Sequence, residues 1–282
     1  MPNIAETLRK ATVILRESGL AEPRREAGSL LAFALKKDRT FLITQDKYEL
    51  TPAEEADFQA ILARRAAREP LQYITGRQEF YGLDFVVSRD VLIPRPETEM
   101  IVENAIEILA PQNNPRFCEI GTGSGCISVA ILYNSVAASA IGLDVSEKAL
   151  EITRVNAENH RVADRLSLKL SDVFEALGDE KFDLVVSNPP YIPRRDIEHL
   201  QREVRDFEPF NALTDGADGL SIIERIINGA PRFLKPEGFL LMEIGYGQSE
   251  DVKGLFDLEI WQPPEILPDL QRIPRTVRAQ VI

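Results

Sequence analysis

The stretch Phe117-Cys118-Glu119-Ile120-Gly121-Thr122-Gly123-Ser124-Gly125 decides the fold of this chain. A short apolar run ends in a glycine-rich turn, and a helix is predicted over 125–134. Glycines allow the turn to be tight and let its backbone approach a ligand closely. The G-x-G-x-G pattern differs from the G-x-G-x-x-G dinucleotide fingerprint, and it lacks the Lys-Ser/Thr pair of a P-loop. No phosphate cradle is specified.

Outward from this loop the grammar is strand and helix in alternation. Strands are predicted at 116–120, 139–143, 165–170, 182–187 and 238–244, with further helices at 146–158, 219–234 and 247–256. Such alternation indicates βαβ crossovers, hence an α/β domain with a mostly parallel sheet. Two more candidate strands, Glu259 to Gln262 and Thr276 to Ile282, follow the last helix with little room for a crossover. An antiparallel final hairpin is expected there. Upstream, Gln78 to Tyr81 and Asp84 to Val87 flank Gly82-Leu83 as a short hairpin. Pro94-Arg95-Pro96 then precedes a helix from Glu97 to Leu109. The first 75 residues or so read as helices only. Ile4, Leu8, Ala11 and Leu15 share one helix face, and Glu22 to Lys37 continues the pattern. Thr51-Pro52-Ala53-Glu54 is a capping box that opens a helix to about Glu69. The expected organisation is a small helical domain at 1–75, a hairpin and linker at 76–96, and the α/β domain at 97–282.

Composition narrows the function. The 282 residues carry 45 acidic and 33 Lys or Arg side chains, a formal net charge of -12. That balance argues against holding nucleic acid by bulk phosphate neutralisation, and against adsorption to an anionic membrane. Cys118 and Cys126 are too few for a disulfide framework, and His160 and His199 leave little for a metal site. Gly121 to Leu143 is uncharged but is punctuated by Gly and Ser, unlike a membrane span. No secretory leader is read at the N-terminus, so the expectation is a soluble cytoplasmic protein without a resident metal.

About 20 residues beyond the glycine loop, Asp144 ends the second strand, where a carboxylate can accept both hydroxyls of a ribose. Loop and acid together indicate a nucleoside cofactor. The missing dinucleotide spacing, and the acidic Glu119 before the loop, favour S-adenosylmethionine, whose sulfonium and amino groups are cationic. Loop residues Gly121, Thr122, Gly123, Ser124 and Gly125 are candidates to hold it. At the end of the third strand Asp172 can accept from an adenine amine, and Val173 or Phe174 can pack on its ring. Ser171-Asp172 is equally a common helix start.

The fourth strand ends in Asn188-Pro189-Pro190-Tyr191. Two prolines stop a strand and stiffen the backbone. The Asn188 side-chain oxygen and the Pro189 carbonyl can accept the two N–H groups of a planar NH2. That orients its lone pair toward a methyl sulfonium and stabilises charge growing on nitrogen. Tyr191 can stack on the flat acceptor group.

With these residues in place, the chain resembles the PrmC/HemK family of class I S-adenosylmethionine-dependent methyltransferases. The resemblance includes Leu92-Ile93-Pro94-Arg95-Pro96-Glu97-Thr98-Glu99, Asp144-Val145-Ser146, Asn188-Pro189-Pro190-Tyr191-Ile192-Pro193, Asp218-Gly219-Leu220, Glu243-Ile244-Gly245 and Gln248. It implies a seven-stranded Rossmann-like domain with a helical N-terminal domain for substrate recognition. It also implies methylation of the glutamine amide in the Gly-Gly-Gln motif of peptide chain release factors. The acidic balance adds the expectation of no stable nucleic-acid partner, and a monomer is expected. The Asn-Pro-Pro-Tyr motif alone is shared with enzymes that methylate exocyclic amines of DNA or ribosomal RNA. The family's acid before the loop is usually Asp, and Glu119 is one methylene longer. A large aromatic often follows the Ser-Asp pair, where this chain has Val173. Arg95 is expected either to position substrate or to pair with Glu97 or Glu99, and Glu243, near the site by topology, either to be structural or to contact substrate.

Overall fold

The computed structural model describes residues 1–282, which divide into two compact units. One comprises Met1–Arg77 with Gln201–Phe207, the other Gln78–Leu200 with Glu208–Ile282.

The helical unit contains α1 (Ile4–Glu17), α2 (Pro23–Leu35), α3 (Arg39–Thr44), α4 (Pro52–Ala66) and α5 (Leu71–Thr75). The Thr51 hydroxyl accepts from the Glu54 N–H at 3.3 Å while the Glu54 carboxylate accepts from the Thr51 N–H at 2.8 Å, so the capping box is reciprocal. Ile4, Ala11, Leu15, Leu30, Leu31 and Phe58 are buried together, as the helical spacing requires.

The hairpin β1 (Arg77–Phe80) and β2 (Leu83–Val86) comes next, and all but its first residue lies in the second unit. Its turn is Tyr81-Gly82, one residue earlier than expected, because both take positive φ (53° and 73°). That pair matches the twist of a two-residue hairpin. There follow α6 (Glu99–Leu109), β3 (Arg116–Ile120), α7 (Cys126–Asn134), β4 (Ser139–Asp144), α8 (Glu147–Asn159), β5 (Leu166–Leu170) and β6 (Phe182–Ser187). The chain then passes through α9 (Arg202–Phe207), α10 (Phe210–Leu213), α11 (Ser221–Gly229), β7 (Leu234–Glu243), α12 (Ser249–Lys253), β8 (Glu265–Pro268) and β9 (Pro274–Gln280).

The large sheet has seven strands in the order β5-β4-β3-β6-β7-β9-β8. Pairing is parallel from β5 through β7, and antiparallel for β7 with β9 and for β9 with β8. This is the Rossmann-like α/β fold with an antiparallel last hairpin. One face buries Ile223, Ile226 and Ile227 of α11, and the other buries Ile101, Val102 and Ala105 of α6. The chain starts at β3, runs outward to β5, then returns to β6 on the other side. Strand order therefore reverses between β3 and β6, the place where open α/β sheets form a crevice at their carboxyl ends.

Three expectations need correction. The penultimate strand is Glu265–Pro268, not 259–262. Trp261 is buried and forms one isolated bridge to Val281, and Pro263-Pro264 then interrupts pairing because proline lacks an N–H. The helix predicted at 219–234 stops at Gly229, where a short turn containing Pro231 takes over. Residues 201–207, expected in the α/β domain, belong to the helical unit. Glu203 of α9 receives Arg68 Nη2 at 2.7 Å and Arg65 Nη2 at 3.2 Å. No spacing rule links positions so far apart in sequence. No helix is long and apolar enough to cross a membrane.

Candidate active site

A cavity of about 330 Å³ opens at the carboxyl ends of β3, β4 and β6. Its acidic lining residues are Asp90, Glu119, Asp144, Asp172 and Asp215, against one basic residue, Arg95. An acidic wall suits a cationic ligand and repels phosphate.

The glycine loop reaches the cavity by backbone geometry. Gly121, Gly123 and Gly125 have φ of 73°, 55° and 78°, a left-handed region that costs other residues about 1–2 kcal/mol. Asp144 holds the loop from β4. One carboxylate oxygen accepts from the Gly123 N–H and the other from the Ser146 N–H, each at 2.9 Å. A carboxylate has about four acceptor positions, so Asp144 keeps two for hydroxyl groups. Burial raises its pKa, opposed by these N–H bonds.

Glu119 is 1% exposed. Its Oε2 accepts from the Ser128 N–H at 3.0 Å and from the Ser128 hydroxyl. Its Oε1 is buried with no partner. Burial pushes the carboxyl up to about 8. A buried acceptor without a donor costs about 1–3 kcal/mol, and a cationic amino group in the cavity would relieve it. The residues present therefore fit S-adenosylmethionine: Glu119 toward its amino group, Asp144 toward its ribose.

Asn156 and Thr153 brace this loop from α8. Asn156 Nδ2 donates to the Ser124 carbonyl at 2.8 Å and to the Val86 carbonyl at 2.9 Å, while Oδ1 accepts from the Val86 N–H at 2.7 Å. The Thr153 hydroxyl donates to the Gly123 carbonyl at 3.0 Å. Neither residue was expected at the site. The available signal was two polar side chains on the face that also carries Ala149, Leu150 and Ala157.

Asp172 and Val173 line the cavity, but Asp172 also pairs with Arg225 Nη2 at 2.9 Å. Val173 has φ 51°, strained for a β-branched residue, and the Ser171 hydroxyl staples that turn by donating to the Val173 carbonyl at 3.0 Å. Phe174 does not line the cavity. It stacks on Phe233 with ring centroids 5.0 Å apart, because the turn at Val173 carries the next side chain to the other side. The adenine-packing expectation for Phe174 is therefore withdrawn in favour of Val173.

Asn188, Pro189 and Pro190 line the same cavity as Glu119 and Asp144. Asn188 Nδ2 donates to the Thr98 hydroxyl at 3.1 Å, which donates to Glu243 Oε2 at 2.6 Å. The expectation that Tyr191 stacks on the acceptor group needs correction. Its ring packs against the core and its hydroxyl donates to Glu243 Oε1 at 2.9 Å. Glu243 has raised its hydroxyl pKa further, after burial itself. The Tyr191 carbonyl accepts from Gln248 Nε2 at 2.9 Å. A Cβ on Gly219 would lie 2.2 Å from that carbonyl oxygen, so only glycine fits there. Arg95 pairs with neither Glu97 nor Glu99; its Nη2 donates to buried Glu208 Oε1 at 2.5 Å.

Cys118 and Cys126 are free and buried, with thiol pKa values pushed up by burial, the latter to about 12. No group of three or more His, Cys, Asp or Glu is placed to hold a metal ion.

Comparison with known proteins gives two family matches, "PrmC N-terminal domain" over residues 6–76 and "Methyltransferase small domain" over 99–203. Release factor glutamine methyltransferase of Geobacter sulfurreducens is 48% identical over 242 residues, covering 86% of this chain and 84% of its own. The protein of the same name from Cereibacter sphaeroides is 42% identical, covering 98% of both chains. Among solved structures, a methyltransferase from Pyrococcus furiosus aligns with a TM-score of 0.52 at 15% identity, covering 80% of this chain and 98% of that one. The structural likeness bears on the fold alone.

Proposed function

We infer the chemistry of the cavity from one premise: the chain belongs to the release factor glutamine methyltransferase family. It is an S-adenosylmethionine-dependent methyltransferase that methylates the side-chain amide nitrogen of a glutamine in release factors. We propose that this glutamine is the one in their Gly-Gly-Gln motif. The observation that carries the site assignment is the meeting, in one cavity, of an unpaired buried Glu119 Oε1 and the Asn188-Pro189-Pro190 backbone.

S-adenosylmethionine, when bound, supplies an electrophilic methyl group on a sulfonium. Glu119 and Asp144 would hold its amino and ribose groups, the backbone from Gly121 to Gly125 would close over it, and Asp172 with Val173 would flank the adenine. Asn188 Oδ1 and the Pro189 carbonyl accept the two N–H groups of the glutamine amide. An amide nitrogen is a poor nucleophile because its lone pair is delocalised. Two fixed acceptors hold its plane still and favour the positive charge that grows as the new N–C bond forms. The nitrogen becomes acidic once methylated, so its proton passes to water without a strong base. Arg95, steadied by Glu208, borders the cavity and contacts the release factor backbone.

The acidic lining supports a protein substrate over nucleic acid. The helical unit would recognise the release factor outside the cavity. Its α9 follows Asn188–Tyr191 by about a dozen residues, which supports a link between recognition and the site. We propose a monomer that works in the cytoplasm, where release factors act.

The test offers labelled S-adenosylmethionine with a release factor, a release factor whose Gly-Gly-Gln glutamine is replaced, duplex DNA and ribosomal RNA. Label is expected on the intact release factor only. Label on nucleic acid and none on the release factor would overturn the reading.

A further inference from the structure

Which end of the Asn188 amide faces the cavity is decided by residues remote in sequence. A hydroxyl carries one proton. The Thr98 proton goes to Glu243 Oε2, so the Thr98 oxygen meets Asn188 as an acceptor and takes its Nδ2. Glu243 accepts at both oxygens, from Thr98 and from Tyr191. Thr98 and Glu243 are each 2% exposed, so no water competes for these partners. Burial raises the Glu243 pKa, opposed by the Thr98 and Tyr191 hydroxyls and by Arg275; as the carboxylate it sets the direction of every hydrogen bond in the relay, and Asn188 Oδ1 is left for the cavity. A flipped amide would set its own NH2 against the NH2 of the substrate, donor against donor.

From this geometry we propose that Thr98 and Glu243 are positioning residues for methyl transfer, the polarity relay that presents Asn188 Oδ1 to an incoming NH2 group. The proposal rests on the glutamine-amide reading above and adds its specificity: the site selects a group with two N–H donors and rejects an acceptor-only group such as a carboxylate. The relay also gives a physical reason for Pro94-Arg95-Pro96-Glu97-Thr98 to accompany Asn188-Pro189-Pro190-Tyr191 in one chain. The first segment supplies the hydroxyl that orients the second.

The experiment compares wild type, Thr98→Val and Thr98→Ser on the intact release factor, reading kcat and KM separately, cofactor Kd by calorimetry, and Tm. Valine keeps the volume and removes the relay oxygen; serine restores it. Thr98→Val is expected to lower kcat about 10²-fold, the scale of one misdirected transition-state partner, with KM and cofactor Kd each changed less than about threefold. Thr98→Ser is expected to recover kcat to within about threefold of wild type. A purely structural role would lower Tm in Thr98→Val yet leave kcat of the folded fraction unchanged, and that result overturns the proposal. Equal loss in both variants, with cofactor binding intact, overturns it too. Glu243→Gln keeps the shape of the anchor and ends its acceptor-only character. It covers the case of Thr98→Val failing to fold: kcat is expected to fall at least tenfold, and a wild-type kcat overturns the relay. Should wild type label nucleic acid instead, the glutamine reading fails, and the same kcat comparison on that amine decides the relay separately.

Discussion

At the glycine loop the backbone is aimed by removing side chains, whereas at Asn188–Tyr191 it is aimed by prolines that restrict it. The loop gains its shape from three residues with positive φ and is steadied by Asp144, Thr153 and Asn156. The tetrapeptide gains stiffness from Pro189 and Pro190 and its direction from Thr98, Glu243 and Gln248. One end offers carboxylates to a cation; the other offers oxygen acceptors to an amide. Both depend on polar side chains set behind the cavity: Thr153 and Asn156 at the loop, Glu243 and Gln248 at the tetrapeptide. A loop that must accept a cofactor is held by its backbone, while an acceptor that must discriminate orientation is held through its side chain.

Asn188 is the most sensitive position. Asn188→Ala is expected to lower turnover by about 10²-fold or more while cofactor affinity stays within about tenfold, because the loss falls on the acceptor end alone. Unchanged turnover in a steady-state assay removes Asn188 from the mechanism. At the cofactor end, Asn156→Ala leaves the Val86 N–H, the Val86 carbonyl and the Ser124 carbonyl without their partner. A stability loss of about 2–4 kcal/mol in urea unfolding is expected, with weakened cofactor binding as well. Retention of wild-type stability would mean that the brace is dispensable. Gly125→Ala sharpens the contrast further. Its Cβ would lie 2.7 Å from Thr153 Cγ2, and its φ is 78°. Cofactor Kd is expected to rise about tenfold from the backbone strain of about 1–2 kcal/mol, with kcat at saturating cofactor changed little. Pairing it with Thr153→Ser removes the methyl clash but not the strain, so recovery should be partial.

The effect of pH is graded and is smallest close to pH 8. Glu119 stands at about 8 in the free chain against an ordinary 4.5. Between those values the folded chain keeps a proton that the unfolded chain releases, so free-chain stability falls as pH rises through that window. A cationic amino group needs the carboxylate, so cofactor affinity should rise with pH up to about 8, by at most about tenfold per unit, and then level off. Calorimetry in two buffers should detect a released proton, and Glu119→Gln should flatten both profiles. A pH-independent affinity in wild type would place the amino group elsewhere.

Tyr191 and Phe174 show where residue chemistry stops being enough. Both are aromatic and adjoin motif residues, so stacking on a ligand was a reasonable expectation for each. Tyr191 instead donates to Glu243, and Phe174 lies against Phe233. Thr98 and Gln248 sat within segments of family resemblance, yet their partners were invisible. A hydrogen bond between Thr98 and Asn188 joins residues 90 apart in sequence. Local pattern carries no information over that distance.

Local sequence was enough for the alternation of strands and helices, the glycine loop and Asp144 at their strand ends, and the proline-stiffened acceptor segment. Each of these follows from local physics: φ restriction, side-chain period and capping. Long-range packing fixes which end of the Asn188 amide faces the cavity, which oxygen of Glu119 lacks a partner, and which unit holds Arg202–Phe207. Those depend on the packing of distant segments, where a buried polar group takes whatever partner the fold brings within reach.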